Sequence, residues 1–111
     1  ALVVSTPQDV ALIDAHKAID MFQKVRIPVL GLIENMAMYV CPKCGNEDHI
    51  FGEGGVKAEA ARSKIPFLGE IPLAREVRLA GDDGTPIALG EGAVAQAYQR
   101  LATELVDGGV A

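Results

Sequence analysis

Cys41 and Cys44 are the only cysteines of the chain, and two residues separate them in the run "YVCPKCGNEDHIFGEGG", Tyr39 to Gly55. Pro42 between them and Gly45 after them let the backbone turn so that both sulfurs can face one ion. Four chemistries compete for such a pair. Zinc wants four ligands, and an iron–sulfur cluster takes four thiolates. A dithiol redox pair needs a cysteine of depressed pKa, usually at a helix N-terminus. The fourth possibility is two inert thiols. The C-x-x-C spacing with flanking Pro and Gly is that of a metal-binding knuckle, which favours metal or cluster binding.

Two thiolates are half of a tetrahedral set. His49, separated from Cys44 by four residues, is a weak third candidate, because a lone loop histidine is more often simply solvated. Glu47 and Asp48 are hard oxygen ligands and poor mates for thiolates. The simplest completion is a second copy of the chain, since two C-x-x-C pairs meeting across a two-fold axis supply four sulfurs. The site would then staple a dimer as well as hold metal.

Other residues carry less. "FGEGG" lacks the G-x-x-x-x-G-K-[ST] pattern of a phosphate loop, and Glu53 would repel phosphate. His16 falls inside the first helical stretch, where a surface role is the simpler reading. Asn35 follows the apolar run "VLGLIE", at the end of a strand where parallel sheets bind ligands. Its amide can accept from and donate to an adenine edge, although an ordinary turn-forming Asn is the simpler account from position alone.

The elements that must position these residues alternate. "ALVVS" (Ala1–Ser5) is an apolar run suited to a strand buried on both faces of a parallel sheet. Thr6 is a candidate helix cap, with Pro7 suited to the first helical position and Asp9 complementing the dipole in the first turn. Leu12, Ala15, Ile19 and Phe22 then form one helical stripe. "PVLGLIE" from Pro28 reads as a second strand, followed by the loop 35–55. A short helix over Val56–Ser63 leads to a third strand around Pro66–Glu70. A further short helix should stop at Gly81, before the turn Asp82–Pro86. Val94, Ala97, Tyr98, Leu101 and Leu105 mark the last helix. Strand–helix alternation argues for an α/β fold with a parallel sheet, flanking helices and right-handed crossovers.

At 111 residues, half of them apolar, the chain can bury a core. A net charge of −5 without a basic block disfavours nucleic acid as a partner. No apolar run approaches the roughly 20 residues that span a bilayer, and the cysteine spacing fits a reducing compartment, by default the cytoplasm. A chain opening directly on a central strand, with a three-stranded sheet and an open edge, is expected to be part of a longer domain.

Three stretches, "VVSTPQDVALIDAHKAIDMF", "PVLGLIENMAMYVCPKCGNEDHIFGEGG" and "IPFLGEIPLAREVRLAGDDGTPI", closely resemble the Mrp/ApbC-type iron–sulfur cluster carrier ATPases. These are P-loop NTPases related to MinD and ParA. The resemblance runs from about Val3 to Ile87. It implies a cytosolic homodimer that binds and slowly hydrolyses ATP, with Mg²⁺, and carries a [4Fe–4S] cluster to apo-proteins. Cys41 and Cys44 would be the cluster-binding pair, the cluster bridging two subunits, with Zn²⁺ a possible substitute. Asn35 would contact the adenine, and Pro72, in Glu70-Ile71-Pro72, would lie along its other side.

The family's phosphate loop, K-G-G-V-G-K-[ST], and its switch aspartates lie outside this sequence. Residues 1–107 therefore match the C-terminal portion of the nucleotide domain, with 108–111 an expected flexible tail. Hydrolysis is expected of the parent protein and not of this piece alone. A zinc knuckle that only dimerises the chain, or a MinD/ParA-like positioning ATPase, are the alternatives. The cysteines argue against the last.

Overall fold

The computed structural model describes residues 1–108. In chain order these form β1 (Leu2–Ser5), α1 (Asp9–Lys24), β2 (Gly31–Glu34), β3 (Tyr39–Val40), β4 (Glu47–Asp48), α2 (Gly55–Ser63), β5 (Phe67–Glu70), α3 (Arg75–Asp83), a 3₁₀ turn at Ile87–Leu89 and α4 (Ala93–Asp107). β1, β2 and β5 make one parallel sheet in the order β1-β2-β5, and β3 pairs antiparallel with β4. The α/β expectation, with helices flanking a parallel sheet, holds.

Two cores sandwich the sheet. On one side Ala15 and Ile19 of α1 and Val56 and Ala60 of α2 pack with Val3 and Leu32. The predicted α1 stripe is the buried one, as Leu12 and Phe22 pack against the same cluster. On the other side Val94 and Leu101 of α4 meet Ile33 and Ile71. Successive residues of a strand point to opposite faces, so β2, with helices on both sides, buries all four of its residues. Gly31 opens that strand for a packing reason. A bulge interrupts the register between Leu32 and Ile33, and Leu68 of β5 fills the space beside Gly31. A Cβ there would fall about 2.4 Å from the Leu68 Cγ.

Four sequence expectations need correction. β1 is covered on one face only: Val3 and Ser5 are buried, whereas Leu2 and Val4 are exposed, because the core cluster built on α4 takes in Ile33 of β2 and no residue of this edge strand. Thr6 does not cap α1. Gln8 occupies the cap position without a side-chain cap, and the Thr6 hydroxyl donates to Gln8 Oε1 at 2.8 Å. Gly81 does not stop α3. The helix runs on to Asp83 and ends at Gly84, whose left-handed φ of 79° lets the Thr85 amide reach back to the Ala80 carbonyl at 3.0 Å. Finally, the loop 35–55 contains the β3–β4 hairpin. Of the expected tail, the Gly108 amide closes α4 on the Glu104 carbonyl, and 109–111 lie outside the described residues.

His16 has a structural part, as its surface reading implied. Its Nδ1 lies 2.8 Å from Glu59 Oε1, joining α1 to α2, and this hydrogen bond raises the imidazole pKa. Glu59 also accepts from Arg62 Nε and Ser63 Oγ.

Candidate functional site

The site grows from the carboxyl ends of β2 and β5, where the two strands continue as a ladder beyond their regular ends. The Ile71 amide donates to the Glu34 carbonyl at 2.8 Å, the Ala37 amide to the Ile71 carbonyl at 3.0 Å, and the Leu73 amide to the Met38 carbonyl at 2.8 Å. Residues 34–38 and 71–73 thus form one platform, and the β3–β4 hairpin rises from it. Tyr39 pairs with Asp48 and Val40 with Glu47.

At the hairpin tip, the Cys41 amide donates to the Asn46 carbonyl and the Gly45 amide to the Cys41 carbonyl, both at 2.9 Å. Gly45 closes this turn at φ 73°, a left-handed value that costs glycine little. Both cysteines are free thiols, Cys41 half-buried and Cys44 exposed. The neighbouring backbone N–H groups of Cys44 and Lys43, with the Cys44 thiol, hold the Cys41 pKa below the ordinary thiol value. Donors aimed at sulfur favour its charged form, which is the form that ligates metal.

Among the described residues, no cluster of three or more His, Cys, Asp or Glu side chains could hold a metal ion. His49 is engaged elsewhere, with Nδ1 3.1 Å from the Ala37 carbonyl oxygen and Nε2 3.7 Å from Glu53 Oε1. The hairpin therefore carries two soft donors, one half-buried and one exposed, and no third His, Cys, Asp or Glu among the described residues completes a set with them.

Asn35 and Pro72 sit at the ends of adjacent strands, one residue beyond Glu34 and two beyond Glu70, which are themselves partners in register. The Asn35 amide N–H donates to the Ser5 carbonyl at 2.8 Å. Its Oδ1 accepts from the Met36 N–H at 3.0 Å, stabilising the left-handed turn at Met36. Pro72 lines a groove of about 490 Å³ together with Tyr39, Val40, Pro42 and Val94; Asn35 is not among its lining residues. The groove joins the cysteine turn, through Pro42, to the start of α4.

The sequence profile of the ParA-type family described as NUBPL iron-transfer P-loop NTPases matches residues 1–106. This chain belongs to that family. It is 47% identical over 110 residues to the iron-sulfur protein required for NADH dehydrogenase, mitochondrial, of Arabidopsis thaliana, covering 97% of this chain and 35% of that protein. With the iron-sulfur cluster carrier protein of Pseudomonas fragi it shares 46% identity over 104 residues, 92% of this chain and 36% of the relative. The chain thus spans about a third of the length of the curated relatives it matches. A solved nucleotide-binding protein from Archaeoglobus fulgidus, in complex with ADP and with cobalt found in it, superposes with a TM-score of 0.66 at 40% identity. That match covers 76% of this chain and 35% of the other.

One residue of this family member escaped the sequence reading. Glu34 ends the apolar run "GLIE" and is 2% exposed. Its Oε1 accepts the Val56 N–H in the first turn of α2 at 3.3 Å. Burial pushes its carboxyl above the ordinary range, a rise that the Val56 hydrogen bond opposes and the charge of Glu70 reinforces. A charged residue closing an otherwise apolar strand was the available signal.

Proposed function

We propose that this chain is the thiol-bearing part of an iron–sulfur cluster carrier, in which Cys41 and Cys44 hold a [4Fe–4S] cluster shared with a second copy of the chain. The observation that carries this reading is the hairpin tip: two free thiols, one held toward its thiolate form, with no third ligand beside them among the described residues. Four thiolates complete a cluster, and two such tips across a two-fold axis supply them. An exposed, shared cluster can pass to an apo-protein when the two tips separate, so the cluster is cargo and the thiols are its temporary ligands. Family membership and relatives named as cluster carriers support the assignment.

The whole protein, in this reading, binds ATP with Mg²⁺ and hydrolyses it. Asn35 and Pro72 contact the adenine from the ends of β2 and β5. The Asn35 amide keeps hydrogen-bonding capacity beyond its Met36 contact, and a solved relative binds ADP. The 111 residues contain no K-G-G-V-G-K-[ST] run, so this stretch alone is not expected to hydrolyse ATP. Asn35→Ala in the whole protein should weaken nucleotide binding, and unchanged affinity would remove Asn35 from the site. The net charge of −5 argues against nucleic-acid partners. No described helix is long and apolar enough to cross a membrane. Free thiols suit the cytoplasm, where we place the protein, while the Arabidopsis relative's name places that protein in mitochondria.

Anaerobic reconstitution with iron and sulfide tests the central claim. It should give broad visible absorbance that Cys41→Ala and Cys44→Ala each abolish; retention of the chromophore in both variants sinks the assignment. Zn²⁺ can substitute at two such thiol pairs. About half a zinc per chain with no iron uptake would instead mark a structural knuckle.

A further inference from the structure

His49 is the residue where the cysteine hairpin is tied back to the sheet. Its Nδ1 lies 3.1 Å from the Ala37 carbonyl oxygen. A carbonyl only accepts, so Nδ1 carries the proton and donates. Ala37 is fully buried, and its own amide donates to the carbonyl of Ile71, the residue before Pro72. The ring therefore ties the outgoing leg of the hairpin, next to Asp48, to the platform from which the incoming leg departs. Glu53 Oε1, 3.7 Å from Nε2, faces the other side of the ring.

This tie matters because the hairpin has little else. Its ladder is two residue pairs long, and an isolated two-stranded hairpin is marginal in water. Without a fixed base, the spacing and direction of the two sulfurs would vary with every opening of the ladder.

We propose that His49 is the positioning residue of the thiol site, its Nδ1–H to the Ala37 carbonyl setting how Cys41 and Cys44 are presented on the platform that ends at Pro72. This rests on the reading of the two cysteines as cluster ligands. His49 itself is not a ligand. Its work is done by one N–H donor, which an asparagine amide reproduces at the Nδ1 position and a glutamine amide, reaching toward Nε2, does not.

The test compares the wild-type chain with His49→Ala, His49→Gln and His49→Asn. Hydrogen exchange at the Cys41 and Gly45 amides should be roughly three- to tenfold faster in the Ala and Gln variants, the size expected for losing one hydrogen bond. The Asn variant should exchange as wild type does. After reconstitution, cluster loss to an added chelator should follow the same ranking, and the absorption spectrum of the Asn variant should match wild type. Unchanged exchange in His49→Ala, failure of Asn to restore it, or an altered spectrum in the Asn variant would each overturn the proposal, the last by marking His49 as a ligand. If wild type takes up no cluster but the exchange ranking holds, the cluster reading falls and the positioning role stands.

Discussion

Between Glu34 and Val56 the chain has two regions of opposite character. The foot, where residues 34–38 run beside 71–73, is laddered by backbone hydrogen bonds and buries Glu34, Ala37 and Ile71. Its carboxylate at Glu34 is sealed against α2. The tip, Cys41 to Asn46, is closed by two backbone bonds and otherwise open to solvent. The foot is built like a core and the tip like a ligand-presenting surface. If the tip carries a cluster, as proposed, this separation would let the fold be stable without the cargo and the cargo leave without disturbing the fold.

That contrast breaks if the tip proves structural. Cys41→Ala and Cys44→Ala should lose the cluster completely while Tm stays within about 3 °C of wild type, as expected for one half-buried and one exposed position outside a core. A large fall in Tm measured on the cluster-free chain would show that the thiols support the fold.

Gly55→Ala probes the packing behind the foot, at the start of α2 beside Val56, whose amide bonds Glu34. A Cβ at Gly55 would come 2.7 Å from the Pro7 carbonyl oxygen and 2.9 Å from Leu12 Cδ1. Backbone must move, so stability should drop by about 1–3 kcal/mol in urea unfolding. If the drop occurs while cluster capacity per folded chain is kept, foot and tip are independent. Equal loss of both would join them.

Glu34→Gln gives the smallest effect and the sharpest one. The folded-state pKa of Glu34 is raised, so its protonated form favours the folded chain. Its contribution is full below the ordinary Glu pKa and is lost as pH rises through the higher folded value. Gln keeps an oxygen for the Val56 N–H and has no charge to bury. Unfolding curves across that window should show a shallower decline for Glu34→Gln than for wild type. Parallel curves would mean that the carboxylate is not penalised in the foot.

The same contrast explains what the sequence disclosed. α1 and α4 were legible because their apolar residues repeat at helical spacing; the α1 stripe packs on the core as expected, and in α4 Val94, Ala97 and Leu101 are buried while Tyr98 is exposed. The cysteine pair was legible because its chemistry is local, needing only two thiols and a turn. The foot was not. Glu34 is bonded to a residue 22 positions away and His49 to one 12 positions away, and no periodicity reports such pairs. β3 and β4, two residues each, are too short to carry a pattern. Asn35 was placed correctly at a strand end, yet the turn it stabilises at Met36 is visible only in the backbone.

The pairing of Tyr39 with Asp48 has a consequence for engineering. Directly opposed residues on antiparallel strands lie about 5 Å apart, so residues 40–47 enter and leave through one narrow gate. Such a segment is a cassette. It could be cut out and the gate closed by a two-residue turn, or replaced by another metal-binding hairpin of the same span, with the parallel sheet beneath left as it is.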